Sequence, residues 1–133
     1  MSEENVNVVK AFIDAGTRED WTRVAELVDP DVELHGTVGG VEEGQVYRGL
    51  ADAMREYLEV DGEAWEERRI EPTEFIDADE DVVVLLHEYR RGRGSGVELE
   101  NDTAVVFTVR DGRVVRMQGY MDPAAAQKAT GLS

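Results

Sequence analysis

Residues 82–122 read VVVLLHEYRRGRGSGVELENDTAVVFTVRDGRVVRMQGYMD. Three β-rich runs are divided by the glycine-bearing stretch 92–96 and by Asp111-Gly112, the punctuation of antiparallel hairpins. Side chains of a strand alternate between faces. In the middle run this places Val97, Leu99, Asn101, Thr103, Val105, Phe107 and Val109 on one side, taken as inward, and Glu98, Glu100, Asp102, Ala104, Val106 and Thr108 on the other. In the preceding run His87 and Tyr89 alternate with the charged Glu88 and Arg90, so His87 and Tyr89 are expected inward. A five-residue loop over Gly92–Gly96 sets His87 opposite Asn101. The second turn admits two registers. A two-residue type I′ turn brings Arg116 and Gln118 inward; a three-residue loop with a glycine bulge brings Val115, Met117, Gly119 and Met121 inward, and the apolar pattern favours the latter.

Upstream, Val6, Val9, Phe12, Ile13 and Gly16 have the spacing of one helical face, with Ser2 as N-cap and Gly16 as stop. A second helix opens at Thr17 and Asp20, carries Trp21, Val24, Leu27 and Val28, and ends at Asp29-Pro30-Asp31. Short strands follow at Val32–His35, with Val32 and Leu34 inward and His35 outward, and at Gln45–Arg48 beyond a glycine-rich loop at 36–44. Leu50, Ala53, Met54, Tyr57 and Leu58 predict a third helix, stopped by Asp61-Gly62. Residues 65–76 read as a charged strand bent at Pro72, either an edge strand or a bulged one. Asp122-Pro123 opens a short last helix that stops at Gly131.

With 133 residues the chain makes one domain, 1–133, with a single core. It has no apolar run of membrane-spanning length, no secretory pattern at its start and no cysteine, so disulfides, thiolate metal sites and a cysteine nucleophile are excluded. A cytoplasmic protein is the default. Thirty acidic against 14 basic residues give a net charge of −16, which argues against nucleic acid and anionic membranes as partners.

The order helix, helix, strand, strand, helix, bent meander resembles the SnoaL-like, or nuclear transport factor 2-like, cone fold. The phrases DPDVELHG, VYRG, IEPTEFIDADEDVVVL and FTVRDGRVVR carry the same likeness over essentially the whole chain. The resemblance implies an α+β domain: a strongly curved mixed, largely antiparallel sheet around an apolar pocket, closed by the three N-terminal helices. It also implies a small apolar organic ligand, and relatives that include isomerases, hydrolases and cyclases working without a cofactor. The residues of the best-understood chemistries are missing. Phe12, Gly36 and Val105 stand where ketosteroid-isomerase-like members carry their tyrosine, base and oxyanion-stabilising acid. His87-Glu88-Tyr89 and Gly119 stand where epoxide-hydrolase-like members carry Arg-x-Asp and a second aspartate.

His87 and Tyr89 are then the candidate catalytic pair, a proton-exchanging imidazole and a phenol donor two residues apart; packing is the competing role. The candidate ligand-binding wall is Phe12, Leu34, Tyr57, Trp65, Asn101, Thr103, Phe107, Met117 and Met121. Asp77, Asp79 and Asp81 do not make a calcium loop, because Val82 occupies the position that needs glycine, and two histidines without HExxH make no zinc site. Glu67, Glu71 and Glu74 read as solvated edge residues, with an inward turn around the bend at Pro72 as the alternative. An outward patch of Val82, Val84, Leu86, Ala104, Val106 and Val114 is expected to form a homodimer interface. The functional expectation is acid/base chemistry on a bound apolar molecule; the alternative is a non-catalytic binding or accessory module.

Overall fold

In the computed structural model, residues 2–40, 43–49 and 65–131 are described. The elements run α1 (Ser2–Thr17), α2 (Trp21–Leu27), β1 (Val28–Val38), β2 (Val46–Arg48), β3 (Trp65–Ala78), β4 (Asp81–Gly92), β5 (Glu98–Arg110), β6 (Arg113–Tyr120) and α3 (Pro123–Ala129). The helix expected around Leu50–Leu58, with Tyr57 on it, and its stop at Asp61-Gly62 lie outside the described residues. The strands form one open six-stranded sheet in the order β2-β1-β6-β5-β4-β3. Pairing is antiparallel except between β1 and β6, which makes the sheet mixed.

The helices begin and end where side-chain chemistry allows. Asp20 caps α2 by accepting from the Arg23 amide at 3.2 Å, and Asp122 caps α3 by accepting from the Ala124 amide at 3.0 Å, with Pro123 in the first turn. The chain passes straight from Leu27 into β1, so the short strand expected at 32–35 runs from Val28 to Val38 and takes in Asp29-Pro30-Asp31 and the start of the glycine-rich stretch. The pairing of β1 with β6 breaks register between Val28 and Glu33, the interval that holds Pro30, which has no amide to donate.

The main core lies between one sheet face and helices α1 and α2. Val9, Phe12, Val24 and Leu27 meet Val28, Val32, Leu34, Val82, Val84, Leu86, Phe107, Val109 and Val114. Phe12 packs edge-on against Phe107, with centroids 5.7 Å apart and planes at 67°, a geometry worth about 1 kcal/mol beyond the buried area. A smaller apolar layer on the other face joins Val83, Ala104 and Val106 to Ala126 of α3. The outward patch expected from the sequence is corrected in part: Val82, Val84, Leu86 and Val114 belong to the helix-side core, whereas Ala104 and Val106 do lie on the outer face, in the layer that includes α3.

Two register details decide which side chains face the helices. Gly92 donates to the Val97 carbonyl at 2.8 Å, so the β4–β5 tip holds four residues between paired positions instead of five. His87 therefore faces Asp102, not Asn101, and the whole of β4 turns over relative to the expectation. At the β5–β6 turn, Arg110 pairs with Arg113 around Asp111 (φ 52) and Gly112 (φ 77), a two-residue turn with both central φ positive. The register then shifts between Thr108 and Val109, so Phe107 meets Met117 and Val105 meets Gly119. The turn is therefore the two-residue form that the apolar pattern did not favour, and the bulge beyond it returns Met117 and Gly119 to the helix side, the placement that the pattern did favour.

Candidate functional site

Beyond Leu86 the inner face of the meander carries chemistry instead of core. Opposed positions share a face, and the register stacks Pro72–Leu86–Thr103, then Ile70–Glu88–Asn101, then Arg68–Arg90–Leu99 across β3, β4 and β5. Strand β6 ends at Tyr120, level with Ala104, so this end of the sheet is three strands wide among the described residues.

Glu88 is the centre of that end. It is only 5% exposed. Its Oε2 accepts from Thr103 Oγ1 at 3.0 Å and its Oε1 accepts from Arg90 Nη2 at 3.0 Å. Arg68 Nη2 approaches the same Oε1 to 3.6 Å, too long for a hydrogen bond but close for an ion pair. The Arg90 guanidinium lies 5.3 Å from the centroid of the Trp65 ring, in cation–π range. A buried carboxylate held by a hydroxyl and a guanidinium can bind a donor group of a ligand or exchange a proton with it, and the guanidinium can stabilise an oxyanion. On this strand the order is carboxylate-x-arginine, the reverse of the Arg-x-Asp sought there.

Of the residues singled out in the sequence, Trp65, Asn101 and Thr103 gather on this inner face around Glu88. Phe12, Leu34 and Phe107 are buried in the helix-side core, with Met117 packed against it. Met121 lies past the end of β6 and is exposed. Tyr57 is outside the described residues. The vacant positions are filled structurally. Val105 packs against the core, the Gly36 amide donates to the Gln45 carbonyl at 2.8 Å, and a Cβ on Gly119 would sit 2.6 Å from Thr37 Oγ1.

His87 and Tyr89 face the other way, and their expected place in the pocket is corrected by the four-residue tip. His87 Nδ1 lies 2.7 Å from Asp102 Oδ1 and Nε2 lies 2.7 Å from Glu100 Oε1. With carboxylates at both nitrogens, Asp102 above all and then Glu100 hold the imidazole pKa above its ordinary value. Tyr89 donates to Glu98 Oε1 at 2.5 Å beneath the Arg69 guanidinium, and that bond is the main reason its phenol pKa is raised. Glu67 and Arg91 share this face, with Arg91 Nη2 3.4 Å from Glu67 Oε1, while Glu71 stands opposite His87. Glu71 and Glu74 are exposed, as a solvated edge requires. His35 also faces outward, 2.9 Å from Glu33 Oε1, and this bond, more than the nearby Arg48, lowers the Glu33 pKa.

Sequence reasoning missed Glu88 because it was read as the charged, outward partner of His87. The apolar phase of the strand gave no signal, since Val82, Val84 and Leu86 step to Glu88 and Arg90 while Val83 and Leu85 step equally to His87 and Tyr89. Among the described residues no cluster of His, Asp and Glu has the makings of a metal site. Asp77 accepts from the Asp79 amide in the β3–β4 turn and Asp81 accepts from Thr108 Oγ1 at 2.7 Å. An open groove of about 660 Å³ near the far end of β5 is lined by Asp29, Asp31, Glu33, Thr108, Arg110, Asp111, Arg113, Val115 and Arg116. Its lining is mostly charged and lies remote from Glu88 along the strand, so it does not suit an apolar ligand.

An open mixed sheet with an N-terminal helical pair on one face is the architecture of the SnoaL-like and nuclear transport factor 2-like proteins. The chain belongs to the SnoaL-like domain family, whose pattern it matches over residues 9–117. It is similar to a nuclear transport factor 2-like protein of Burkholderia xenovorans LB400, at 28% identity and a TM-score of 0.77 over 98% of each chain. TerC, crystallised with polyporic acid, superimposes with a TM-score of 0.75 at 23% identity, over 96% of this chain and 98% of that one. A candidate SnoaL-like polyketide cyclase of Jannaschia sp. CCS1 superimposes with a TM-score of 0.74 at 19% identity, over 100% of this chain and 95% of that one. No curated protein matches the chain. No helix among the described residues is long and apolar enough to cross a membrane.

Proposed function

We propose that the protein binds a small organic molecule on the inner face of the β3–β5 end and performs proton-transfer chemistry on it through Glu88. The observation that carries this reading is the buried carboxylate of Glu88, held between Thr103 and Arg90 on the helix side of a SnoaL-like sheet. A carboxylate inside such a sheet can take a proton from a bound molecule, and the Arg90 and Arg68 guanidinium groups stand where negative charge then develops. Trp65 and Asn101 supply an aromatic wall and an amide to orient the molecule. The small organic acid crystallised with TerC, polyporic acid, is consistent with this use of the fold.

A second reading is favoured by one specific feature. Both Glu88 oxygens already accept hydrogen bonds from the protein, so the carboxylate can serve as the fixed keystone of a binding site with no chemistry of its own. Native mass spectrometry of the purified protein identifies a retained molecule, and Glu88→Gln then separates the two readings. Proton transfer predicts that turnover falls by about 100-fold or more with the ligand still bound. Unchanged turnover in that variant rules out the catalytic role, and a retained molecule that is never converted supports the binding module.

A further inference from the structure

The class of ligand follows from how Arg90 is held, and the inference rests on the reading that this face binds a small molecule. Arg90 directs one Nη to Glu88 at 3.0 Å. Its Nε is buried and has no hydrogen-bond partner among the described residues. That Nε is sealed from solvent, so a ligand meets Arg90 only through the 22% of its side chain that stays exposed, and covering this part without an acceptor costs about 1–3 kcal/mol. On the same face Ile70, Leu99 and Val97 are 41%, 48% and 55% exposed, beside the half-buried Trp65. Apolar side chains left in solvent around a largely covered guanidinium describe a site with apolar walls and a cationic end.

A neutral apolar molecule would cover the walls and strip the exposed part of Arg90 of water without giving it an acceptor. A cation would be opposed by Arg90 and by Arg68, 3.6 Å from the same carboxylate oxygen. We propose that the site takes an organic anion: an oxyanion at Arg90 joined to a flat apolar body lying across Trp65, Ile70 and Leu99. Charge-assisted bonds to guanidinium are stronger than neutral ones and directional. The net charge of −16 repels anions at long range, so selectivity for one must come from these local donors.

The test is calorimetric titration with three probes of one shape: naphthoate, the neutral naphthamide, and the cationic naphthylmethylamine. Wild-type protein is expected to bind naphthoate about ten-fold more tightly than naphthamide, and naphthylmethylamine least. Arg90→Met abolishes the preference, whereas Glu88→Gln, which removes the competing carboxylate, strengthens naphthoate binding several-fold. Should Arg90→Met fail to fold, the Arg68→Met/Glu88→Leu/Arg90→Met chain replaces it, with the same loss of preference expected. Equal binding of naphthamide, a preference that survives loss of Arg90, or no binding of any probe at millimolar concentration overturns the assignment. A neutral molecule retained in native mass spectrometry overturns it too, while leaving the small-molecule reading intact. Failure of Glu88→Gln to alter turnover removes the catalytic reading and leaves the anion preference standing.

Discussion

Replacing Glu88 by leucine removes the acceptor of Arg90 and Thr103 and leaves two largely covered guanidinium groups against apolar neighbours. Breaking one side of a largely buried ion pair costs about 3 kcal/mol, whereas exchanging the whole cluster for apolar groups of similar volume is close to neutral. We expect Glu88→Leu to lower urea-unfolding stability by that amount and Arg68→Met/Glu88→Leu/Arg90→Met to recover most of it. If the triple variant is as unstable as the single one, the cluster is structural and its retention needs no ligand. His87 makes a separate prediction at this scale. Its pKa is raised, so its contribution to stability is fully present below the unfolded-state value and is lost as pH rises through the higher folded value. Glu71 faces it from β3 and Glu100 and Asp102 from β5, beside Tyr89 and Arg69 on the same face. An NMR titration of the ring should show a midpoint above that of an ordinary histidine, shifted down more by Asp102→Asn than by Glu100→Gln. An unshifted midpoint means that the carboxylates do not hold the ring in solution. Asn101 and Thr103 were legible as inward residues because their phase follows the apolar residues of their strand, whereas Trp65 was singled out as an aromatic and reaches the inner face through the register shift between Trp65 and Glu67. The same logic failed for His87 and Tyr89, where two polar pairs alternate and neither side looks apolar.

The elements themselves follow closely from local chemistry. Asp20 and Asp122 cap helices, Pro72 adjoins the break in β3 between Pro72 and Glu74, and Asp111-Gly112 makes the tight turn. What the pattern could not settle was loop length at Gly92–Val97, because GRGSG tolerates several closures and one residue more or less inverts a strand. The bulge beside Thr108 was similarly hidden, since its effect appears only when β6 is laid against both β5 and β1. Close contact between β6 and β1 is testable. A Cβ at residue 119 would lie 2.6 Å from Thr37 Oγ1 and 3.4 Å from Thr37 Cβ. Threonine in a strand has little rotameric freedom to withdraw. Gly119→Ala should therefore destabilise by about 1–3 kcal/mol, the cost of overpacking, and adding Thr37→Ala should restore most of the loss in thermal melts. A tolerated Gly119→Ala with Thr37 intact would show that the strands can part at that row.

At the scale of the whole molecule, the sheet divides its labour by face and by end. Helices α1 and α2 cover the apolar rows of the inner face, and the Glu88 cluster begins where those rows stop. On the outer face α3 meets the apolar rows and charged side chains occupy the rest, so the apolar patch that suggested a dimer is largely redistributed. A terminal helix is expected to protect the sheet more than to build it. Val83, Ala104 and Val106 are 0%, 1% and 6% exposed and pack with Ala126, and Ile76, Leu85 and Tyr120 border the layer. Ending the chain at Asp122 uncovers part of this layer, at a cost of about 2–4 kcal/mol for one or two aliphatic side chains returned to water. The uncovered strip then seeks another surface, against the repulsion of a strongly acidic chain. Light scattering should show the shortened chain self-associating more than the full one, increasingly so as salt screens the charge, with greater binding of an apolar dye. Equal association states with and without the helix, at every salt concentration, would mean that the outer layer is protected by something other than α3.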